Sequence, residues 1–171
     1  MPNTQAVGVA YSDPALTSGT TVTGGTLDST TLVNSNVRSG FTVAQQGATI
    51  ATTGNSDVYV TAPVAGTLNA AWFGGVDALT ASDTNYITFT ITNLATGSGT
   101  NAMLAATDAN TTKATGGTGL SANARRVLTL NGTAANLVVA AGDRIRIRAA
   151  VTGTLANTVT FPVYSLQFTV A

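Results

Sequence analysis

From Gly142 onward the chain alternates without a break: Arg144, Arg146 and Arg148 fall on one parity, Ile145 and Ile147 on the other. A period of two sends successive side chains to opposite faces of a strand, so residues 144–148 predict a strand with one buried and one wet face. Gly142-Asp143 supplies a turn just before it, and Leu137-Val138-Val139, bounded by turn residues, is a candidate for the preceding strand. A half-buried antiparallel sheet is therefore the firmest local signal in the sequence.

The same texture continues on either side. Residues 57–61 (Asp-Val-Tyr-Val-Thr) alternate and stop at Pro63, and residues 66–73 run through Trp72 and Phe73 into Gly74-Gly75. Residues 86–92 place Ile87, Phe89 and Ile91 inward and threonines outward. Residues 126–130 end at Asn131-Gly132. The last run, 158–170, puts Tyr164, Leu166, Phe168 and Val170 on one face, with Pro162 pointing to an edge or a bulge. Residues 41–43 and 49–51 are shorter candidates. Residues 102–108 suit a single helical turn, and 109–123 read as a long mobile loop. No segment carries a helical period. Short strands parted by Gly, Asn and Asp predict an all-β chain, an antiparallel β-sandwich of jelly-roll type.

Ahead of the sandwich the pattern differs. Residues 1–20 read as an extended tail in which Val7, Val9, Tyr11 and Leu16 are available for docking. Val22, Leu27, Leu32 and Val37 then recur every fifth residue, in the pentads TVTGG, TLDST, TLVNS and NVRSG. An odd spacing throws these side chains to alternate faces of a flat strand; they share a face only if the backbone coils regularly. So short a repeat cannot bury its own apolar side chains and would need other chains to cover them. The competing reading is a Thr/Ser/Gly linker with chance spacing. The expected organisation is a tail over 1–20, a pentad-repeat arm and connector over 21–56, extended or β-helical, and a β-sandwich over 57–171.

Composition narrows the partners. Only 8% of the residues are charged and the formal net charge is zero, against about 25% charged in ordinary globular chains. Phosphate backbones need dense Lys/Arg fields, so a nucleic-acid partner is not expected. A neutral surface gives little electrostatic resistance to self-association. No apolar run approaches the ~18 residues that span a bilayer, and the N-terminus has neither the basic nor the apolar part of a secretion signal. The expectation is no membrane partner and no Sec-type export.

Chemistry-bearing groups are sparse. Without Cys or His there is no Ser-His-Asp or Cys-His site, no disulfide and no thiolate metal site. All seven acidic residues are Asp, and no spacing proposes a carboxylate pair across a cleft. Lys113 is the one lysine and a remote candidate for Schiff-base chemistry. Residues 115–119, rich in Gly, match no phosphate loop. Asp77 and Asp83 sit in one inter-strand loop, either as oxygen donors to Ca²⁺ or as ordinary turn residues. Trp72 and Phe73 offer a sugar-stacking face or simply core packing. Neither a cofactor nor an enzymatic activity is expected.

The arginines are the sharpest feature. Three guanidiniums at alternate positions of one strand lie about 7 Å apart and repel unless solvated or paired. They form either a wet sheet face or a contact surface where Arg forks meet carboxylates and carbonyls of a neighbour. Asp143 is placed to pair with one of them locally.

Residues 63–68 (Pro-Val-Ala-Gly-Thr-Leu) leading into an aromatic strand, then 86–91, then Val139-Ala140-Ala141-Gly142-Asp143-Arg144-Ile145, resemble the small jelly-roll modules of tailed-bacteriophage virion proteins. A Gly-Asp entry to a strand with flanking apolar residues also resembles trimeric tumour-necrosis-factor-like jelly rolls. The pentads resemble segments of phage fibres and capsid-decoration proteins, so the resemblance spans roughly residues 21–171. It implies a non-enzymatic virion structural protein: a capsid decoration (cement) or head-fibre subunit, a homo-oligomer with a trimer favoured. It would bind the major capsid protein on the capsid surface after assembly in the host cytoplasm. Val22, Leu27, Leu32 and Val37 would then contact the shell or neighbouring subunits, and Arg144, Arg146 and Arg148 would form a second contact. The alternative is a carbohydrate- or receptor-binding sandwich of a fibre or adhesin, with Trp72, Tyr59 or Tyr86 exposed on a concave face.

Overall fold

The computed structural model describes residues 40–94 and 101–170. The pentad positions Val22, Leu27, Leu32 and Val37, and the tail before them, lie outside the described residues. The described residues form nine strands: β1 (Phe41–Gln46), β2 (Asn55–Thr61), β3 (Gly66–Gly74), β4 (Tyr86–Asn93), β5 (Asn101–Ala102), β6 (Arg125–Leu128), β7 (Val138–Val139), β8 (Arg144–Thr152) and β9 (Val163–Val170). One sheet runs β1-β9-β3-β6 with β7 also on β3, and the other runs β2-β8-β4-β5. All the pairings are antiparallel. The chain changes sheet at every step except β4 to β5 and β6 to β7, as it does in a jelly-roll sandwich.

Alternation decides which residues meet between the sheets. Ile87, Phe89 and Ile91 from β4 and Ile145 and Ile147 from β8 face Leu68 and Phe73 from β3 and Tyr164, Leu166 and Phe168 from β9, all fully buried. The ring of Phe73 packs against Phe89 at 4.7 Å and Tyr164 at 5.3 Å between centroids, which ties the sheets together at their middle. Truncating such a ring to Ala costs about 3–5 kcal/mol through lost burial and the cavity left behind. The sheets are also joined along one side. Leu104 bridges Leu130 just past β5 and β6, and Ala105 N donates to Thr129 O at 3.0 Å.

Several expectations need correction. The sandwich begins before residue 57, because β1 pairs with β9 from Phe41↔Phe168 to Gln46↔Val163. Val138–Val139 is the strand preceding the arginine strand, as read, but it pairs with β3, so the Gly142-Asp143 turn carries the chain from one sheet to the other. Gly142, at φ 87°, supplies the left-handed step that this corner requires. Pro162 does not mark an edge. It stands just outside β9, which lies between β1 and β3, so its missing N–H interrupts no ladder.

The helical turn expected over 102–108 is displaced: a short 3-10 turn begins at Asp108 and runs to Asn110. The stretch 109–123 is a long loop without a strand, as read, but it is tied to the sheets. Asn110, Thr111, Thr112 and Leu120 are buried, and Thr112 N donates to Ile87 O at 2.8 Å while Leu79 and Leu120 exchange two backbone bonds. Small polar residues hid this order, since their burial relies on hydrogen bonds and not on apolar periodicity.

Candidate functional site

The outer face of the β2-β8-β4-β5 sheet collects the arginines. β8 is central, and its register aligns Asp57 with Arg148 and Thr90, and Tyr59 with Arg146 and Thr92. Thr61 pairs with Arg144. Because Ile145, Ile147 and Ala149 are fully buried, parity obliges all three guanidiniums to project outward. A ladder on a central strand is held by hydrogen bonds on both sides, so its spacing is fixed by the backbone.

The three arginines have different surroundings. Arg148 grips Asp57 with two parallel bonds, Nε to Oδ1 at 2.6 Å and Nη2 to Oδ2 at 2.7 Å. That fork holds the Asp57 carboxyl below the usual carboxylate range, partly opposed by burial, and raises Arg148 in turn. Arg144 is exposed and lies over the Tyr59 ring at 4.2 Å from its centroid. Arg146 lies between Tyr59 and Thr92 with its Nε buried and without a hydrogen-bond partner. Three guanidiniums and one carboxylate leave the face with an excess of two positive charges, on a chain whose formal net charge is zero. Chemically, it is a rigid donor surface for carboxylate or carbonyl oxygens.

Asp143 does not join this face as expected. Its Oδ2 accepts from Asn93 Nδ2 and from Ala140 N, both at 2.8 Å, and so clasps the turn that leads into β8. Asp77 and Asp83 are engaged by different segments. Asp77 Oδ2 accepts from Thr160 N and Oγ1 at 2.6 Å, and Asp83 accepts from Thr115 N at 2.8 Å and Oγ1 at 2.9 Å. Those bonds hold both carboxyls below the usual range. No group of three or more His, Cys, Asp or Glu able to hold a metal occurs among the described residues.

Lys113 bonds Asp108 at 2.9 Å and lies 5.0 Å from the centre of the Tyr86 ring. Asp108 raises its pKa, the opposite of what a nucleophilic amine requires. Both groups line a cleft of about 290 Å³ beside β4, together with Tyr86, Thr88 and Thr90. Phe73 is core, and Trp72 is half-buried on the opposite sheet with Arg125 over its ring at 4.7 Å.

Two organising residues were not singled out from the sequence. Buried Asn110 donates to Ala105 O and Thr129 O and accepts from Thr129 N, stitching the joint between the sheets. Arg126 donates to the carbonyls of Ala109, Thr111 and Thr118, gathering the 109–119 segment around one guanidinium. Burial lowers its pKa. The adjacent Arg125-Arg126 pair was the only available hint, since one of two neighbours in a strand must point inward.

These features define an antiparallel β-sandwich with a cationic outer face. No family model, curated protein or solved structure matches the chain.

Proposed function

We propose that the chain is a non-enzymatic structural protein of a phage virion, a capsid decoration or head-fibre subunit that binds and stabilises the shell. The observation that carries this reading is the arginine face. Arg144 is exposed, and neither Arg144 nor Arg146 forms an ion pair among the described residues, on a strand fixed from both sides. Such a surface suits acidic and carbonyl groups of a neighbouring protein. Several weak contacts of this kind, repeated over an oligomer, sum to durable attachment. The jelly-roll strand order supports the same reading, as does the low charge of the chain.

A sugar-binding reading gains less support. Each aromatic ring suggested for stacking has a cation over it: Arg125 on Trp72, Arg144 on Tyr59, Lys113 on Tyr86. Trp72 also lies on the opposite sheet from the two tyrosines.

The test is co-sedimentation of the full chain with shells of the matching major capsid protein. The double variant Arg144→Ser/Arg146→Ser should stay folded by circular dichroism and lose most of its pelleting. Removing residues 1–40 should also abolish attachment. A full chain that stays in the supernatant, or a double variant that pellets like the parent, would overturn the proposal.

A further inference from the structure

A second surface lies on the other sheet, away from the arginine face. Gly74 occupies an outward position of β3 and is flanked in register by Val163 on β9 and Arg125 on β6. Its missing side chain leaves a shallow hollow of about 300 Å³, bounded also by Val76, Asn123 and Phe161. One residue pair further along β3, Trp72 lies between Ser165 and Val127. Four of the six large apolar side chains exposed among the described residues gather here: Val76, Val127, Phe161 and Val163. Val127 and Phe161 are the most open of them, at 64% and 63% exposure.

The backbone marks the same place. Among the described residues only Asn123 (φ 56°) and Phe161 (φ 47°) are non-glycine residues in the left-handed region, and both border this hollow. Asn tolerates that conformation; for Phe it is costly, and such strain gathers at functional sites. An exposed aromatic ring held in strained backbone therefore calls for an occupant.

We infer that the occupant is a second copy of this chain, docked patch to patch about a twofold axis, with Phe161 of each copy entering the hollow beside Gly74 of the other. Projecting ring and hollow belong to one surface, which is the arrangement an isologous contact needs. The charges on the patch are self-complementary as well. Arg125 has the Trp72 ring beneath it and no ion pair or hydrogen bond among the described residues. Asp77, next to Val76 and bonded to Thr160 next to Phe161, uses only Oδ2 internally. A twofold brings Arg125 of one copy toward Asp77 of its mate, and a net charge of zero adds no repulsion. The unit built this way is a dimer, in place of the trimer that the resemblance implied. The inference does not depend on what the arginine face binds.

Sedimentation velocity of the full chain, from micromolar to about 0.1 mM, tests it. The parent should dimerise. Phe161→Asn should weaken dimerisation at least about tenfold while leaving the melting temperature equal or higher, because Asn relieves the left-handed strain. Loss of a merely structural ring would lower the melting temperature. Gly74→Val is the second variant. A Cβ at Gly74 finds nothing nearer than Ala124 O at 3.9 Å, so the fold accepts it while the hollow is filled. A parent that stays monomeric overturns the inference, as do variants that dimerise like the parent. A dimer lost only on removing residues 1–40 places the contact elsewhere and also overturns it. Shell pelleting of Phe161→Asn tells the two proposals apart: retained pelleting with lost dimerisation supports both.

Discussion

Arg148 and Asp57 lie directly opposite one another in the β2–β8 ladder and close a two-pronged ion pair on the sheet's outer face. The pair joins an outer strand to the central one, and it removes one of three arginines from availability to partners. Arg144 and Arg146 form no ion pair among the described residues, so the ladder divides into one internal staple and two unpaired guanidiniums.

The staple gives a pH dependence of definite sign. The Asp57 pKa is lowered in the folded state, chiefly by its bonds to Arg148. Its stabilisation is therefore complete above the ordinary carboxylate value of about 4 and is lost as pH falls through the lowered folded value. Asp57→Asn should destabilise the domain at pH 7 by about 1–2 kcal/mol, as expected for charged hydrogen bonds that are partly open to water. Urea unfolding at a series of pH values measures the gap between parent and variant. That gap should be constant from pH 7 to about 5 and should narrow below about 4. A gap that widens in acid would mean that the pair does not set the stability difference.

Asn110 acts where two sheets become one partial barrel. Its side chain replaces a missing stretch of ladder, meeting Ala105 O and both backbone groups of Thr129. Asn110→Ala removes these bonds from three partly buried backbone groups, of which Thr129 O keeps its bond from Ala105 N, and should cost about 1–3 kcal/mol. Hydrogen exchange should rise first at the Thr129 amide, with the Asn93 amide in β4 changed less. Uniform loss of protection would instead indicate global destabilisation with no local role for this side chain.

How much of this was legible depends on the kind of force involved. Ile145/Ile147, Ile87/Phe89/Ile91 and Tyr164/Leu166/Phe168 announced their faces because burial of alternate apolar residues is recorded in local order, and all eight are buried as read. The outward parity of Arg144, Arg146 and Arg148 came with them. What local order cannot record is which strands become neighbours. Asp57 and Arg148 stand 91 residues apart, and nothing in either segment names the other. The same holds for Asn110 and Thr129, and for Asp143, whose partner proved to be Asn93 and not a nearby arginine. The anchoring of the 109–123 loop was hidden because polar residues satisfied by hydrogen bonds resemble solvent-facing loop. The hollow beside Gly74 was hidden for a further reason: an empty space between strands has no residue of its own to read.

Tyr164 supplies the last prediction, and its sign runs against the usual rule for core residues. The ring lies in the centre of the sandwich against Phe73, with the residue 1% exposed, yet its hydroxyl is buried without a hydrogen-bond partner among the described residues. Burial accordingly pushes its pKa well above the ordinary phenol value. A buried hydroxyl that has given up water and gained no partner costs about 1–3 kcal/mol, whereas the ring itself contributes favourable burial. Tyr164→Phe retains the ring and deletes the unsatisfied group, so it should leave stability unchanged or raise it by up to about 1 kcal/mol. Tyr164→Ala removes both and should destabilise by about 3–5 kcal/mol. Thermal unfolding of the two variants beside the parent decides the matter. A Phe variant that melts clearly lower would mean that the hydroxyl has a partner after all, such as an internal water, and that the ring centre is held by polarity as well as packing.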